Sequence, residues 1–123
     1  MNGFFVNDSK QDINASIVGS LANLLTDVST TGAGTPVVVD SYKNYAFEVW
    51  GTATTFDIKV QVVGPSGEAW DLKIWDELNN VFLTGGIVTK GIYSVSVTPT
   101  MSIQANVVSV SGGAVSLGGG LTT

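Results

Sequence analysis

The sequence predicts an all-β fold, an antiparallel β-sandwich of jelly-roll-like or Ig-like type preceded by an N-terminal arm. Three observations predict it. Apolar and polar residues alternate with period two over most of the chain after residue 44. Turns rich in glycine separate these segments at intervals of roughly 8–12 residues, the spacing of sandwich strands. Glycine, serine and threonine together make up about a third of the 123 residues, a composition typical of strands and tight turns.

The clearest strands lie in the middle of the chain. In segments 45–50 and 56–62, every second residue lies on the same face of the strand, and these residues are almost all apolar. This alternation predicts a sheet with one buried and one wet face. Further strands are predicted over residues 70–75, 81–83, 92–98, 101–110 and 114–117, for a total of roughly seven to nine. The same alternation assigns Phe56 and Trp70 to the core.

The C-terminal glycines are interpreted as turn and tail. Ser111-Gly112-Gly113 is predicted to be a hairpin turn, so that residues 114–117 pair back on the preceding strand. Gly118-Gly119-Gly120 is predicted to be a flexible C-terminus. A phosphate-binding loop is rejected, because no lysine follows the glycines and no helix is expected after them.

The first third of the chain allows two interpretations. Apolar residues recur there at helical spacing, which suits an amphipathic helix beginning at Asp12: Ile13, Ile17, Leu21, Leu24, Leu25 and Val28. The alternative is a strand over Asn23–Ser29, a turn at residues 30–34 and a second strand over Thr35–Val39. We favour the strand pair, because Gly19 and several serines and threonines weaken a helix.

The chain is therefore divided into an N-terminal arm, residues 1–22, and a β-sandwich domain, residues 23–123. The arm is apolar rather than polar, so we expect it either to complete the sandwich or to dock on another subunit. The arm residues predicted to form such an interface are Phe4, Phe5, Ile13 and Ile17.

Composition excludes several classes of function. The chain has no cysteine and no histidine, which removes disulfides, thiolate chemistry, zinc ribbons and the commonest general base. It has five lysines, no arginine and a net charge of −5, so no nucleic-acid partner is expected. No apolar run reaches the about 18 residues of a membrane span, and no membrane partner is expected. The N-terminus lacks the features of a secretory signal, which predicts synthesis in a cytoplasm.

Acidic residues are the main candidates for catalysis or for a hard cation. Glu68, Asp71, Asp76 and Glu77 are close in sequence, and two carboxylates suffice for a glycosidase mechanism. Three of them lie near one turn, but the spacing matches no calcium loop. We interpret all four as solvated turn and surface residues, and predict no catalytic, metal or cofactor site and no enzymatic activity.

Two tryptophans are predicted to project from polar strand faces. Trp50 falls opposite Phe47 and Val49 in the alternation, and Trp75 falls opposite Leu72 and Ile74. An exposed indole beside charged residues is a common interface or sugar-stacking element. The alternative is that a second layer covers one or both strands, which would make these rings part of the core.

The order of motifs resembles a known family. Thr30-Thr31-Gly32-Ala33-Gly34-Thr35-Pro36 is followed by Tyr42-Lys43-Asn44-Tyr45-Ala46-Phe47-Glu48-Val49, then by Gly51-Thr52-Ala53-Thr54, Trp70, Gly91-Ile92-Tyr93-Ser94-Val95 and Ser111-Gly112-Gly113-Ala114-Val115. This order resembles small β-sandwich domains encoded among the virion structural genes of tailed bacteriophages and prophages. The resemblance covers about residues 24–117 and brings no catalytic signature.

The resemblance implies a non-enzymatic virion protein of the capsid-decoration or head-fibre type, with a neck or tail accessory protein as the alternative. It implies a homo-oligomer that binds other virion proteins, such as the major capsid protein, and is made in the host bacterial cytoplasm. A carbohydrate-binding module remains a further alternative, in which Trp50 and Trp75 stack on a glycan of the host surface.

Overall fold

A computed structural model describes residues 19–123, and these form two antiparallel sheets packed face to face. The predicted all-β antiparallel sandwich is confirmed. The interface residues predicted in the arm, Phe4, Phe5, Ile13 and Ile17, lie outside the described residues. Within those residues, no helix is long and apolar enough to cross a membrane.

The larger sheet has six strands, in the spatial order β1 (Ser20–Val28), β11 (Val115–Thr122), β4 (Asn44–Gly51), β9 (Gly91–Ser96), β7 (Trp75–Asp76) and β8 (Val81–Phe82). The smaller sheet has the order β2 (Gly32–Ala33), β10 (Ser102–Ser111), β5 (Thr55–Val63) and β6 (Ala69–Asp71), with β3 (Val37–Val38) also paired to β10. Four of these eleven strands have only two residues, which is why the described chain holds more strands than alternation predicts.

The core lies between the two sheets and follows the predicted alternation. In β4, Tyr45, Phe47 and Val49 are buried while the residues between them are exposed. In β5, Phe56 is 6% exposed, which confirms its assignment to the core. The aromatic rings of the larger sheet contact one another, since the Tyr45 and Phe47 centroids are 5.1 Å apart. Burial raises the pKa of Tyr45 well above its ordinary value.

The strand predicted over Asn23–Ser29 exists as β1, but its predicted partner is wrong. β1 pairs with β11 in the larger sheet, whereas β2 and β3 pair with β10 in the smaller sheet. Residues 29–31 thus carry the chain from one sheet to the other instead of turning a hairpin. The physical reason is that β1 can bury Ala22, Leu24 and Leu25 in the core when it pairs with β11. The segment after β1 is held by the other sheet, where the Gly34 N–H donates to the Ala105 carbonyl of β10.

The hairpin predicted at Ser111-Gly112-Gly113 is also wrong. β10 belongs to the smaller sheet and β11 to the larger one, so the two glycines carry the chain across the sandwich. Both have positive φ, 76° and 146°, a conformation that glycine adopts freely. The Ala114 carbonyl accepts hydrogen bonds from Thr52 and Ala53, in the connection that crosses from β4 to β5 alongside it. Double glycine thus indicates a sharp bend here, without indicating which strands the bend joins.

The predicted flexible tail is instead an interior strand. Gly118, Gly119 and Gly120 belong to β11, which lies between β1 and β4 and pairs with both. A Cβ on Gly119 would overlap the Ala46 carbonyl oxygen and lie 2.5 Å from the Phe47 Cα. The glycines thus allow neighbouring strands to approach more closely than side chains would permit.

The strand predicted over residues 70–75 is split between the two sheets. β6 pairs with β5 in the smaller sheet, and β7 pairs with β9 in the larger one. Trp70 is 60% exposed, so its assignment to the core is wrong. It lies opposite Val62, near the end of β5, where the inward face of the smaller sheet is no longer fully covered. Alternation predicted correctly that Trp70 lies on the inward face of its strand. It could not show that the opposite sheet does not cover this end of the strand.

Candidate interaction face

The outward face of the six-stranded sheet, hereafter the outer face, carries a continuous row of one residue from each strand. The pairing registers join Leu21 of β1, Gly120 of β11, Ala46 of β4, Ser94 of β9, Trp75 of β7 and Phe82 of β8. Directly paired residues of antiparallel strands project to the same face. The row therefore has three small residues at its centre and large apolar residues at both ends.

The two ends of the row are open to solvent. Leu21 is 82% exposed, an unusual position for a leucine in a strand, and Phe82 is 52% exposed. Val81 and Leu78, beside Phe82, are exposed as well. Apolar side chains grouped at the surface in this way mark contact sites more often than isolated ones do.

The aromatic end of the row is held together by three side chains. The Trp75 and Phe82 rings meet edge to face, with centroids 4.8 Å apart. The Lys73 ammonium lies 4.8 Å from the centroid of the Phe82 ring, within the range of a cation–π interaction. These side chains form one wall of an open cleft of about 470 Å³, whose other lining residues are Asn44, Leu72, Ser94, Val95 and Ser96.

Trp50 projects from the same outer face and is 43% exposed, paired with Ser116 of β11. It lies four residues along β4 from the row and two strands from Trp75, a separation of roughly 17 Å at ordinary strand spacings. The structure therefore brings Trp50 and Trp75 onto one face but not into one site. Trp75 is half-buried against Phe82. Their role as surface contacts stays a prediction.

The outward face of the smaller sheet is different in character, because polar side chains are joined across it. Gln104 donates to Gln61, Gln61 donates to Asp71, and Lys59 forms an ion pair with Asp71 at 3.2 Å. The hydrogen bond from Gln61, followed by that from Lys59, lowers the pKa of Asp71 below its ordinary value. Among the described residues one buried oxygen of this sheet, Asp57 Oδ1, has no hydrogen-bond partner. The other polar side chains named here are joined to one another, which leaves the outer face of the larger sheet as the better candidate for an interface.

Asp76 is a structural turn residue. Its carboxylate accepts hydrogen bonds from the Leu78 and Asn79 backbone N–H groups and from the Asn79 side-chain amide, at 2.8–3.2 Å. The Asn79 amide is the main cause that lowers the pKa of Asp76 below its ordinary value. A carboxylate engaged in this way holds the turn that joins β7 to β8, and so positions Phe82.

The other acidic candidates do not converge with Asp76. Asp71 lies in the smaller sheet, Glu77 accepts a 2.7 Å hydrogen bond from Ser94, and Glu68 lies in the turn before β6. Across residues 19–123, no group of three or more carboxylates is placed to hold a metal ion. Glu68, Asp71 and Glu77 are exposed turn and surface residues, whereas Asp76 is buried, so its interpretation as a solvated residue is wrong: its carboxylate is engaged by the turn that follows it.

Leu21 and Phe82 are the residues of this face that sequence reasoning missed. Leu21 belongs to a set of regularly spaced apolar residues, and such a set predicts a buried position. Phe82 lies in β8, which has only two residues and is too short to show alternation. The signal that identifies them is the six-strand register, and this depends on which strands are neighbours.

Residues 19–123 thus define a single-domain antiparallel β-sandwich with one polar face and one partly apolar face. The XepA family model matches residues 21–121, and the chain belongs to this family, which is phage-related. Its fold is similar to that in the crystal structure of the SPBc2 prophage-derived protein YomS, with a TM-score of 0.77 at 18% sequence identity. The match covers 85% of this chain and 92% of that one. No curated protein matches the sequence.

Proposed function

We propose that this chain is a non-enzymatic structural component of a tailed-phage virion, a capsid-associated protein of the decoration or head-fibre type. In this role it associates with itself and binds the virion surface, with the major capsid protein as the expected partner. It is made in the cytoplasm of the host bacterium and resides in the particle. The single observation that carries the proposal is the partly apolar outer face of a phage-family β-sandwich.

The composition of this face supports binding to protein. Leu21, Trp50, Ile92 and Phe82 are all exposed there, separated by the small residues of β11, β4 and β9. A flat surface with a few large apolar groups is suited to a protein interface, where aromatic residues contribute most of the binding energy. The carboxylates, by contrast, are held apart in turns and ion pairs, an arrangement that favours a structural role over catalysis.

A neck or tail accessory protein is the alternative location in the particle. The same face would serve there, because the physical requirement is again a neighbouring protein surface. The identity of the neighbouring protein that binds this face therefore determines whether the chain lies in the head, the neck or the tail.

A carbohydrate-binding module is the second candidate, supported by the exposed Trp50 indole beside Glu48 on the outer face. A stacking ring needs a free face and polar neighbours that bind hydroxyl groups. Glycan-array binding that is lost in Trp50→Ala and kept in Trp70→Ala would favour this candidate, because Trp70 is more exposed than Trp50 but lies on the other sheet. Absence of glycan binding would leave the structural role.

The direct test is the composition of purified particles. Virions of the phage or prophage that encodes the chain are banded on a density gradient, and the bands are probed with antibody against the chain. The proposal expects the chain in the particle band at a fixed ratio to the major capsid protein, with immunogold labelling showing head, neck or tail. Its absence from washed particles, with free chain in the lysate, would overturn the proposal.

A further inference from the structure

The most exposed apolar residues in the strands of the larger sheet lie at its two lateral edges, while Trp50 and Ile92 on interior strands are less exposed. Leu21 lies on β1 at one edge, and Leu78, Val81 and Phe82 lie on or beside β8 at the other. The register places Leu21 and Phe82 at opposite ends of the same row. One edge therefore presents a single projecting side chain, and the other presents an open cleft.

Within residues 19–123, the β1 edge lacks the usual protection against pairing. The other edge strands, β2, β3, β6 and β8, have only two or three residues, and short edges resist association. β1 has nine residues and carries no charge before Asp27. Its pairing with β11 is regular from Ser20 to Asn23, and bulges interrupt only the later part. The regular part is also where Leu21 projects.

The cleft has the size and lining to receive such a side chain. Its volume of about 470 Å³ lies within the range of ordinary ligand sites, roughly 300–1,000 Å³. Trp75 and Phe82 give it an apolar wall, and Ser94 and Ser96 give it a floor of small residues.

We propose that Leu21 of one copy packs into the cleft of a second copy of this chain, against the wall that Trp75 and Phe82 form. This inference rests on the self-association in the proposed function and assigns the surface that performs it. The outer face is at most roughly 25–30 Å on each side at ordinary strand spacings. Its area of up to about 800 Å² is comparable with what each partner buries in a standard interface.

The two contact surfaces are different, so each copy offers one projecting leucine and one cleft. Such contacts close either in reciprocal pairs about a two-fold axis or around a ring. The contact itself is the same in both arrangements. The mass of the oligomer formed by the parent chain in sedimentation distinguishes a pair from a ring.

Disulfide trapping tests the contact directly, because the chain contains no cysteine. Two full-length variants, Leu21→Cys and Phe82→Cys, are purified separately, mixed in equal amounts and oxidised. Within one copy the two positions are five strands apart, about 24 Å, far beyond the 7 Å that a disulfide tolerates between Cα atoms. We expect a linked pair in the mixture that reductant reverses, and little product from either variant alone.

The matched control mixes Leu21→Cys with Trp70→Cys, whose side chain is also exposed but lies on the smaller sheet. Linking with Trp70→Cys as fast as with Phe82→Cys would overturn the proposal, because it would show only random collision. Failure of both mixtures, or slow labelling of Leu21→Cys by a thiol reagent because residues 1–18 cover it, would overturn it too. Failed trapping with the chain still present in particles rejects this contact and keeps the proposed function. Successful trapping with the chain absent from particles keeps this contact and rejects the proposed function.

Discussion

The hydroxyl of Tyr45 donates a 2.6 Å hydrogen bond to the carbonyl oxygen of Ala22, from one strand of the larger sheet to another that is not its neighbour. β11 lies between them, and its residue in register with Ala22 is Gly119, which carries no side chain. The tyrosine ring, stacked on Phe47, thus holds the edge strand β1 to the centre of the core. This bond fixes the strand from which Leu21 projects.

Replacement of Tyr45 by phenylalanine is expected to lower the free energy of unfolding by about 1–2 kcal/mol, because it removes a buried hydrogen bond while keeping the ring. Urea denaturation of both proteins measures the difference. Tyr42→Phe is the matched control, since the Tyr42 hydroxyl makes no hydrogen bond to any residue that the structure describes. An unchanged midpoint in Tyr45→Phe would show that the bond does not stabilise β1.

Gly119→Ala is expected to destabilise the protein by about 1–3 kcal/mol, because the added methyl group overlaps the backbone of β4 and forces two strands apart. Gly120→Ala is the control one residue later, where the nearest atom to the added methyl group is 3.9 Å away. We expect that variant to stay within about 0.5 kcal/mol of the parent. Equal effects in thermal unfolding would contradict the close approach of β11 and β4.

Trp70→Ala is expected to change stability by less than about 1 kcal/mol, since most of the indole is exposed at the end of the smaller sheet. Phe56→Ala, in the adjacent strand and buried, should cost about 3–5 kcal/mol. Denaturant titration of the two variants gives both values. A large loss in Trp70→Ala would mean that the indole is covered in the protein.

Because of Asp76, the free energy of unfolding should depend on pH in the acidic range. Its pKa is lowered in the folded chain, so it stabilises the fold above its unfolded pKa of about 3.9, and this contribution is lost as the pH falls through the folded value. We expect Asp76→Ala to have a lower urea midpoint than the parent at pH 7 and a smaller deficit at pH 3. Asp76→Asn should lie between them at pH 7, because its one carbonyl oxygen still accepts from backbone N–H groups. A deficit that is the same at both pH values would contradict the role of the ionised carboxylate.

The alternation of β4, β5 and β9 predicted the fold class and most of the core, because each strand has one covered face and enough residues to show it. The same pattern could not show where the chain changes sheets. Gly112-Gly113 permits a sharp bend whether the next strand pairs with the last one or crosses the sandwich, and the local sequence is the same in both cases. Residues 70–75 alternate without interruption although they serve two sheets.

The candidate face was only partly predictable for a related reason. Trp50 could be placed outside from its own strand, since its neighbours Val49 and Phe47 define the inner face. Gly118–Gly120 carry no side chains, so they give no alternation and were interpreted as a tail. Once β11 is known to lie between β1 and β4, Leu21 falls on the outer face and the row to Phe82 becomes visible. Long-range register, not local pattern, determines that part of the site.

The measurement that tests self-association through the outer face most directly is sedimentation velocity of the pure full-length chain over a wide range of concentration. Parent protein and Leu21→Glu are compared, with Leu21→Met as the apolar control. The account predicts a discrete oligomer for the parent and for Leu21→Met, and a shift toward monomer for Leu21→Glu, because a carboxylate cannot enter the aromatic cleft without losing its hydration. A parent chain that remains a single monomeric species at the highest concentration would contradict it.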